Sequence, residues 1–110
     1  MSLPNKTDWS IEDSADLYGI RQWGAGNFDL SADGKVTVKT IFPSGEVALP
    51  LTEIVAGAAA RGHDCPLLLR IENLLESRIN LLNDSFAEAI AEVGYQNRYQ
   101  GVFPVKVNQQ

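Results

Sequence analysis

Pro66-Leu67-Leu68-Leu69-Arg70-Ile71, the long stretch from Glu72 to Val93, and then Gly101-Val102-Phe103-Pro104-Val105-Lys106-Val107-Asn108-Gln109-Gln110 are the segments on which the fold turns. The first is short and almost continuously apolar, as befits a parallel strand covered on both faces. In the second, Leu75, Ile79, Leu82, Phe86, Ala89, Ile90 and Val93 recur at intervals of three and four, the stripe of an amphipathic helix. Arg78, Asn80, Asp84, Glu88 and Glu92 lie elsewhere on the wheel. Asn73 with Glu76 resembles a capping box, and Gly94 stands where a left-handed cap would end the helix. Tyr95 to Gln100 reads as a short polar link into a second strand. Strand, helix and strand in this order predict a βαβ unit with a right-handed crossover. Two such strands leave open edges, so further βα units are expected, in a barrel or a doubly wound sheet. The last run proceeds straight to Gln110, and the sequence therefore reads as a chain truncated at its C-terminus.

Upstream, Ser31-Ala32-Asp33-Gly34 precedes the alternating run Lys35-Val36-Thr37-Val38-Lys39-Thr40-Ile41-Phe42, and Asp-Gly beside such a run signals a hairpin because glycine accepts positive φ. Pro43-Ser44-Gly45-Glu46 supplies a second turn and Val47-Ala48-Leu49 a third strand. Residues 17–50 thus predict an antiparallel meander. Met1 to Asp16 is polar and reads as a flexible leader, while 51–110 opens the parallel part. Thr52 is the expected cap of a helix that runs through Ile54, Val55, Ala58 and Ala59 and stops at Gly62. The fold class is α/β.

Composition narrows the function. Apolar residues make up 45% of the 110, an ordinary share for a chain that buries a core. Fourteen acids against nine bases give a net charge of −5, with no clustered basic face for nucleic acid. No apolar stretch approaches the roughly 20 residues of a membrane helix. A single cysteine, Cys65, excludes an internal disulfide, and the reading is cytoplasmic.

If 102–107 is a strand, Phe103, Val105 and Val107 share one face and Val102, Pro104 and Lys106 the other. Lys106 then points inward in a barrel, near a strand's C-terminal end, where α/β barrels place reactive groups. Apolar neighbours would favour the neutral amine that Schiff-base chemistry requires. A lysine near a strand end is more often a solvated charge, however, and Pro104 donates nothing to a ladder. Spacing does not choose between these readings.

The wording of the sequence goes further. Pro66 to Ile71, the helix with Arg78-Ile79-Asn80 and Phe86, and above all Tyr99-Gln100-Gly101-Val102-Phe103-Pro104-Val105-Lys106-Val107-Asn108-Gln109-Gln110 resemble the start of the barrel in the arginine decarboxylase branch of the alanine racemase-like, fold type III pyridoxal enzymes. Tyr18-Gly19-Ile20-Arg21-Gln22-Trp23-Gly24-Ala25-Gly26-Asn27-Phe28 is similar to that family's N-terminal signature. The resemblance implies that Lys106 carries pyridoxal phosphate as a Schiff base, and that the first βαβ of a TIM-like barrel follows a meander belonging to the β-domain. It implies L-arginine as substrate, agmatine and carbon dioxide as products, a role in polyamine synthesis, magnesium, and a homo-oligomeric full enzyme. A decarboxylase for another basic amino acid, or a non-enzymatic α/β interaction module, is the alternative.

Other candidates read as structural. Gly24-Ala25-Gly26 lacks the third glycine and the following helix of a dinucleotide loop. Trp23 is most simply a packing residue. His63 has only Asp64 and Cys65 nearby and reads as a surface cap rather than a ligand. It does not match the family's ring-stacking histidine, nor does Cys65 match the family's substrate-site cysteine. Cys65 itself reads as a small buried residue. Glu72, Glu76, Glu88 and Glu92 read as a wet helix face.

Overall fold

The computed structural model describes residues 8–107. The beginning of the polar leader and the closing Asn108-Gln109-Gln110 lie outside the described residues. The chain divides into two compact units, Met1–Arg70 and Ile71–Gln110.

The first unit opens with α1, Ile11–Tyr18, where the sequence suggested a loose leader. Ser10 is the reason for the correction. Its hydroxyl accepts from the Asp13 amide at 3.2 Å while its own amide donates to the Asp13 carboxylate at 2.7 Å, closing a capping box on two otherwise orphaned donors. Gly19, at φ +60°, ends α1 and begins α2, Ile20–Gly24. Tyr18 to Gly24 is therefore not part of a meander. Trp23 donates its indole N–H to the Tyr18 carbonyl at 3.0 Å and lies against Phe28, with ring centroids 5.3 Å apart.

The meander itself is present. β1 (Phe28–Leu30), β2 (Val36–Phe42) and β3 (Gly45–Pro50) form a three-stranded antiparallel sheet in that order, with Leu30 opposite Val36 and Phe42 opposite Gly45. The first turn works as its sequence suggests: Gly34 takes φ +81°, its amide donates to the Ser31 carbonyl, and the Ser31 hydroxyl accepts from the Lys35 amide at 3.0 Å. The core is small. Ala15 of α1, Ile20 of α2 and Val38 of β2 are buried; α1 and α2 pack against β1, and α3 against β2 and β3. Thr37 and Thr40 are buried with their hydroxyls donating to the carbonyls of Asp29 and Val47, so neither leaves an unsatisfied polar group.

α3 spans Leu51–Ala60 with Pro50, not Thr52, at the N-cap. Thr52 lies inside the first turn, and proline pre-sets the extended conformation that the cap position takes. The chain leaves α3 at Arg61 and Gly62, the latter at φ +87°. Pro66 to Ile71 then forms no strand, contrary to the sequence pattern: Leu68 is 71% exposed. A strand depends on a neighbour to take up its backbone N–H and C=O groups, and local apolar content cannot replace one.

In the second unit α4 spans Glu72–Val93, the bounds its periodicity predicts. Ile71 is its N-cap and no side chain caps it, so the suggested Asn73–Glu76 box does not form there. At the other end Gly94 takes φ +66°, and the amides of Gly94 and Tyr95 both reach the Ile90 carbonyl. The apolar stripe faces solvent: Leu75, Ile79, Leu82 and Phe86 are between 44% and 64% exposed. Beyond Gly94 the expected second strand is absent. Residues 97–104 have no regular structure, and Val105–Val107 is a single 3-10 turn. No βαβ unit is therefore formed among the described residues. The structure is α/β in the coarser sense of an antiparallel sheet with helices.

Candidate functional site

The approach to Lys106 starts at the end of α4. Gln96 donates to the Gly94 carbonyl at 2.9 Å, and Asn97 accepts from the Arg98 amide at 2.9 Å, which turns the chain away from the helix axis. Tyr99 then returns to the helix and stacks on Phe86, with centroids 4.0 Å apart and ring planes within 1° of parallel. Gly101 lies beside this stack: a Cβ there would stand 3.3 Å from the Tyr99 hydroxyl oxygen. Pro104 fixes its own φ and restrains Phe103, and the 3-10 turn that carries Lys106 follows directly.

Lys106 is exposed. The alternation that placed it on an inward strand face does not apply, because side chains in a 3-10 turn repeat every third residue rather than every second. Its apolar neighbours Val102, Phe103 and Val105 are also exposed, so the enclosing surface expected around the amine is not built from them. What the segment presents is a primary amine on a short turn, tied back to α4 by the stack of Tyr99 on Phe86. A primary amine is the group that an aldehyde-bearing cofactor requires of its covalent anchor, and to that extent the residue fits pyridoxal phosphate.

The remaining candidates do not assemble around it. An open depression at the end of α4, lined by Val93, Gly94, Tyr95, Gln96 and Asn97, carries no charged side chain to hold a phosphate. Among the described residues no group of three or more His, Cys, Asp or Glu could hold a metal ion, so the magnesium that the resemblance implies has no fitting donor set there. His63 is exposed, and its backbone amide donates to the Ala58 carbonyl at 3.0 Å beyond the end of α3. Cys65 is free and exposed rather than buried. Glu72, Glu76, Glu88 and Glu92 are exposed on α4. Gly24 packs against Phe28, where an added Cβ would meet the Phe28 Cβ at 3.0 Å, while Ala25 and Gly26 both take positive φ in the turn that follows. That segment is a tight turn beside an aromatic ring.

Electrostatics in the first unit centre on Arg21. Its guanidinium forms a two-pronged contact with the Glu12 carboxylate at 2.7 and 3.0 Å, and Asp29 stands 3.7 Å away. The hydrogen bonds from Arg21, and then its charge, hold the Glu12 carboxyl below its ordinary value. The Asp33 carboxyl is likewise lowered, first by the Ser31 hydroxyl and then by Lys35. These exposed pairs fasten α1 to α2 and close the first hairpin. Nothing about them calls for a substrate.

The sequence reading placed Tyr99 in a polar link and in the family wording and gave its ring no role of its own. The available signal was the second of two tyrosines in a polar segment, two positions before a glycine, with an aromatic residue, Phe86, on the preceding helix.

Comparison with known proteins identifies a class: along its whole length the chain is similar to one segment of much larger decarboxylases. These relatives are named biosynthetic arginine decarboxylase. The protein of that name from Thermosynechococcus vestitus is 46% identical over 112 aligned residues, covering 100% of this chain and 17% of that protein. The one from Parasynechococcus marenigrum is 43% identical with the same coverage, and that from Chromobacterium violaceum is 43% identical over 93% of this chain and 16% of its own length. The chain thus spans about one sixth of the curated relatives it matches. No family model matches it. No solved structure matches it either. Among the described residues no helix is long and apolar enough to cross a membrane.

Proposed function

We propose that the chain is one segment of a pyridoxal phosphate-dependent arginine decarboxylase, a carboxy-lyase that converts L-arginine to agmatine and carbon dioxide for polyamine synthesis, with Lys106 as the cofactor's covalent anchor. The observation that carries this reading is identity of 42–46% across nearly all of the chain with proteins bearing that name. The Tyr99–Gln110 wording supplies the residue. Lys106 would hold the cofactor through its primary amine. When bound, the cofactor supplies the electron sink that lets the arginine α-carbon lose carbon dioxide and take up a proton.

The barrel belongs to the same proposal. In the complete polypeptide Pro66 to Ile71 and Val102 to Val107 are strands of a parallel barrel whose other members lie in the remaining five sixths of the enzyme. Their apolar content and the solvent-facing stripe of α4 support this: all three are surfaces of the kind a parallel barrel buries. The phosphate cradle and the substrate-selecting residues come from that remainder. A homo-oligomeric, cytoplasmic enzyme is the corresponding assembly and location.

Carbon dioxide release from L-arginine, compared with L-ornithine and L-lysine, tests the reading in the complete protein. Arginine is expected to be the preferred substrate, and Lys106→Ala is expected to lower its turnover roughly a thousandfold or more. Unaltered turnover in that variant, or a preference for another amino acid, would contradict it.

A further inference from the structure

The segment between α4 and Lys106 contains no regular element until Val105, so discrete contacts set its course. The clearest is the parallel stack of Tyr99 on Phe86, 4.0 Å between centroids. Phe86 belongs to the well-formed part of α4, about two turns before the helix closes at Gly94, and is a firm base for a contact. Gly101 makes room for the stack. It takes no positive φ, so what glycine contributes there is space: a Cβ would stand 3.3 Å from the Tyr99 hydroxyl oxygen and 3.6 Å from its Cε1. Between Gly101 and the lysine, Phe103 is restrained by the following proline and Pro104 has a fixed φ, which narrows the course of the chain from the stack to Lys106.

We infer that Tyr99 is a positioning residue for Lys106: by stacking on Phe86 it sets where the segment carrying the amine begins. The inference rests on the reading of Lys106 as the cofactor anchor. Tyr99 does not touch the amine and acts through the chain that joins them. A displacement of about 1 Å at a reacting group can cost roughly a hundredfold in rate, while substrate contacts made elsewhere are untouched. The stack calls for a ring, not a hydroxyl.

The test uses the complete protein loaded with pyridoxal phosphate, carrying Tyr99→Ala, Tyr99→Phe or Gly101→Ala, with carbon dioxide release from L-arginine as the readout. Borohydride reduction and peptide mapping accompany each variant. Tyr99→Ala is expected to keep the label on Lys106 and a KM within about twofold of the parent, with kcat lower by roughly ten- to a hundredfold; Gly101→Ala, which displaces the Tyr99 hydroxyl only slightly, is expected to lower kcat less. Tyr99→Phe is expected to restore kcat. Parental kcat in Tyr99→Ala overturns the inference, as does a Tyr99→Phe variant impaired as severely as Tyr99→Ala. Where Tyr99→Ala does not fold, the kcat of Tyr99→Leu, which removes the ring and keeps most of its bulk, decides in the same way. An unlabelled Lys106 in the parent protein identifies the anchor reading as what failed, whereas a labelled parent with unaffected variants identifies the positioning role.

Discussion

Glu12 and Arg21 illustrate what single residues do in the first unit. The folded-state titration of Glu12 lies below its ordinary value of 4.5 because Arg21 binds the charged form. A carboxyl lowered on folding contributes stability above its unfolded value, and that contribution is lost as pH falls through the lowered value. Arg21→Gln is therefore expected to bring the Glu12 titration back up toward 4.5 in an NMR pH series, and an unchanged midpoint would contradict the pairing. Burial separates two isoleucines more sharply. Ile20 is 2% exposed and Ile41 67% exposed. In urea unfolding, Ile20→Ala is expected to cost about 2–5 kcal/mol, while Ile41→Ala stays within about 0.5 kcal/mol. Equal losses at the two positions would misplace the core. At this scale the sequence was informative about identity and silent about surroundings. Lys106 stands out through the words around it, but its exposure depends on which strands surround it, and no local pattern encodes that. Cys65 shows the same limit: its residue type favours burial, and its loop leaves it in solvent.

Elements were legible where their determinants are local. The three- and four-residue spacing from Leu75 to Val93 contains nearly everything that α4 needs, and Gly94 marks its end. Gly94→Ala is expected to destabilise that helix terminus by about 1 kcal/mol, read as earlier loss of helical circular dichroism on heating, because alanine resists φ +66°. The hairpin at Asp33-Gly34 was legible for the same reason. α1 was not, because it is short and polar and depends on a reciprocal cap rather than on an apolar stripe. Ser10→Ala removes that cap and is expected to lower stability by about 0.5–2 kcal/mol in denaturant titration. An unaffected midpoint would show that tertiary contacts alone hold α1. Pro66 to Ile71 and Val102 to Val107 failed for the opposite reason. Their composition suits strands, but a strand is completed by partners distant in sequence, and its apolar residues cannot specify those partners by themselves.

For the molecule as a whole, two compact units and a match to about one sixth of the length of its relatives are the observations behind the proposal that its chemistry is shared with the rest of an enzyme. The 110 residues alone are expected to release no carbon dioxide from L-arginine at enzyme-like rates, since an anchor without a phosphate cradle neither holds nor orients the cofactor. Lys106 is the residue on which the proposed function rests, and a covalent label reads it without reference to turnover. The complete protein, loaded with pyridoxal phosphate, reduced with borohydride, digested and mapped, should carry the label on the peptide containing Lys106 and on no other lysine. A label on a different lysine, or none, would contradict the assignment of this chain as the cofactor-anchoring segment of an arginine decarboxylase.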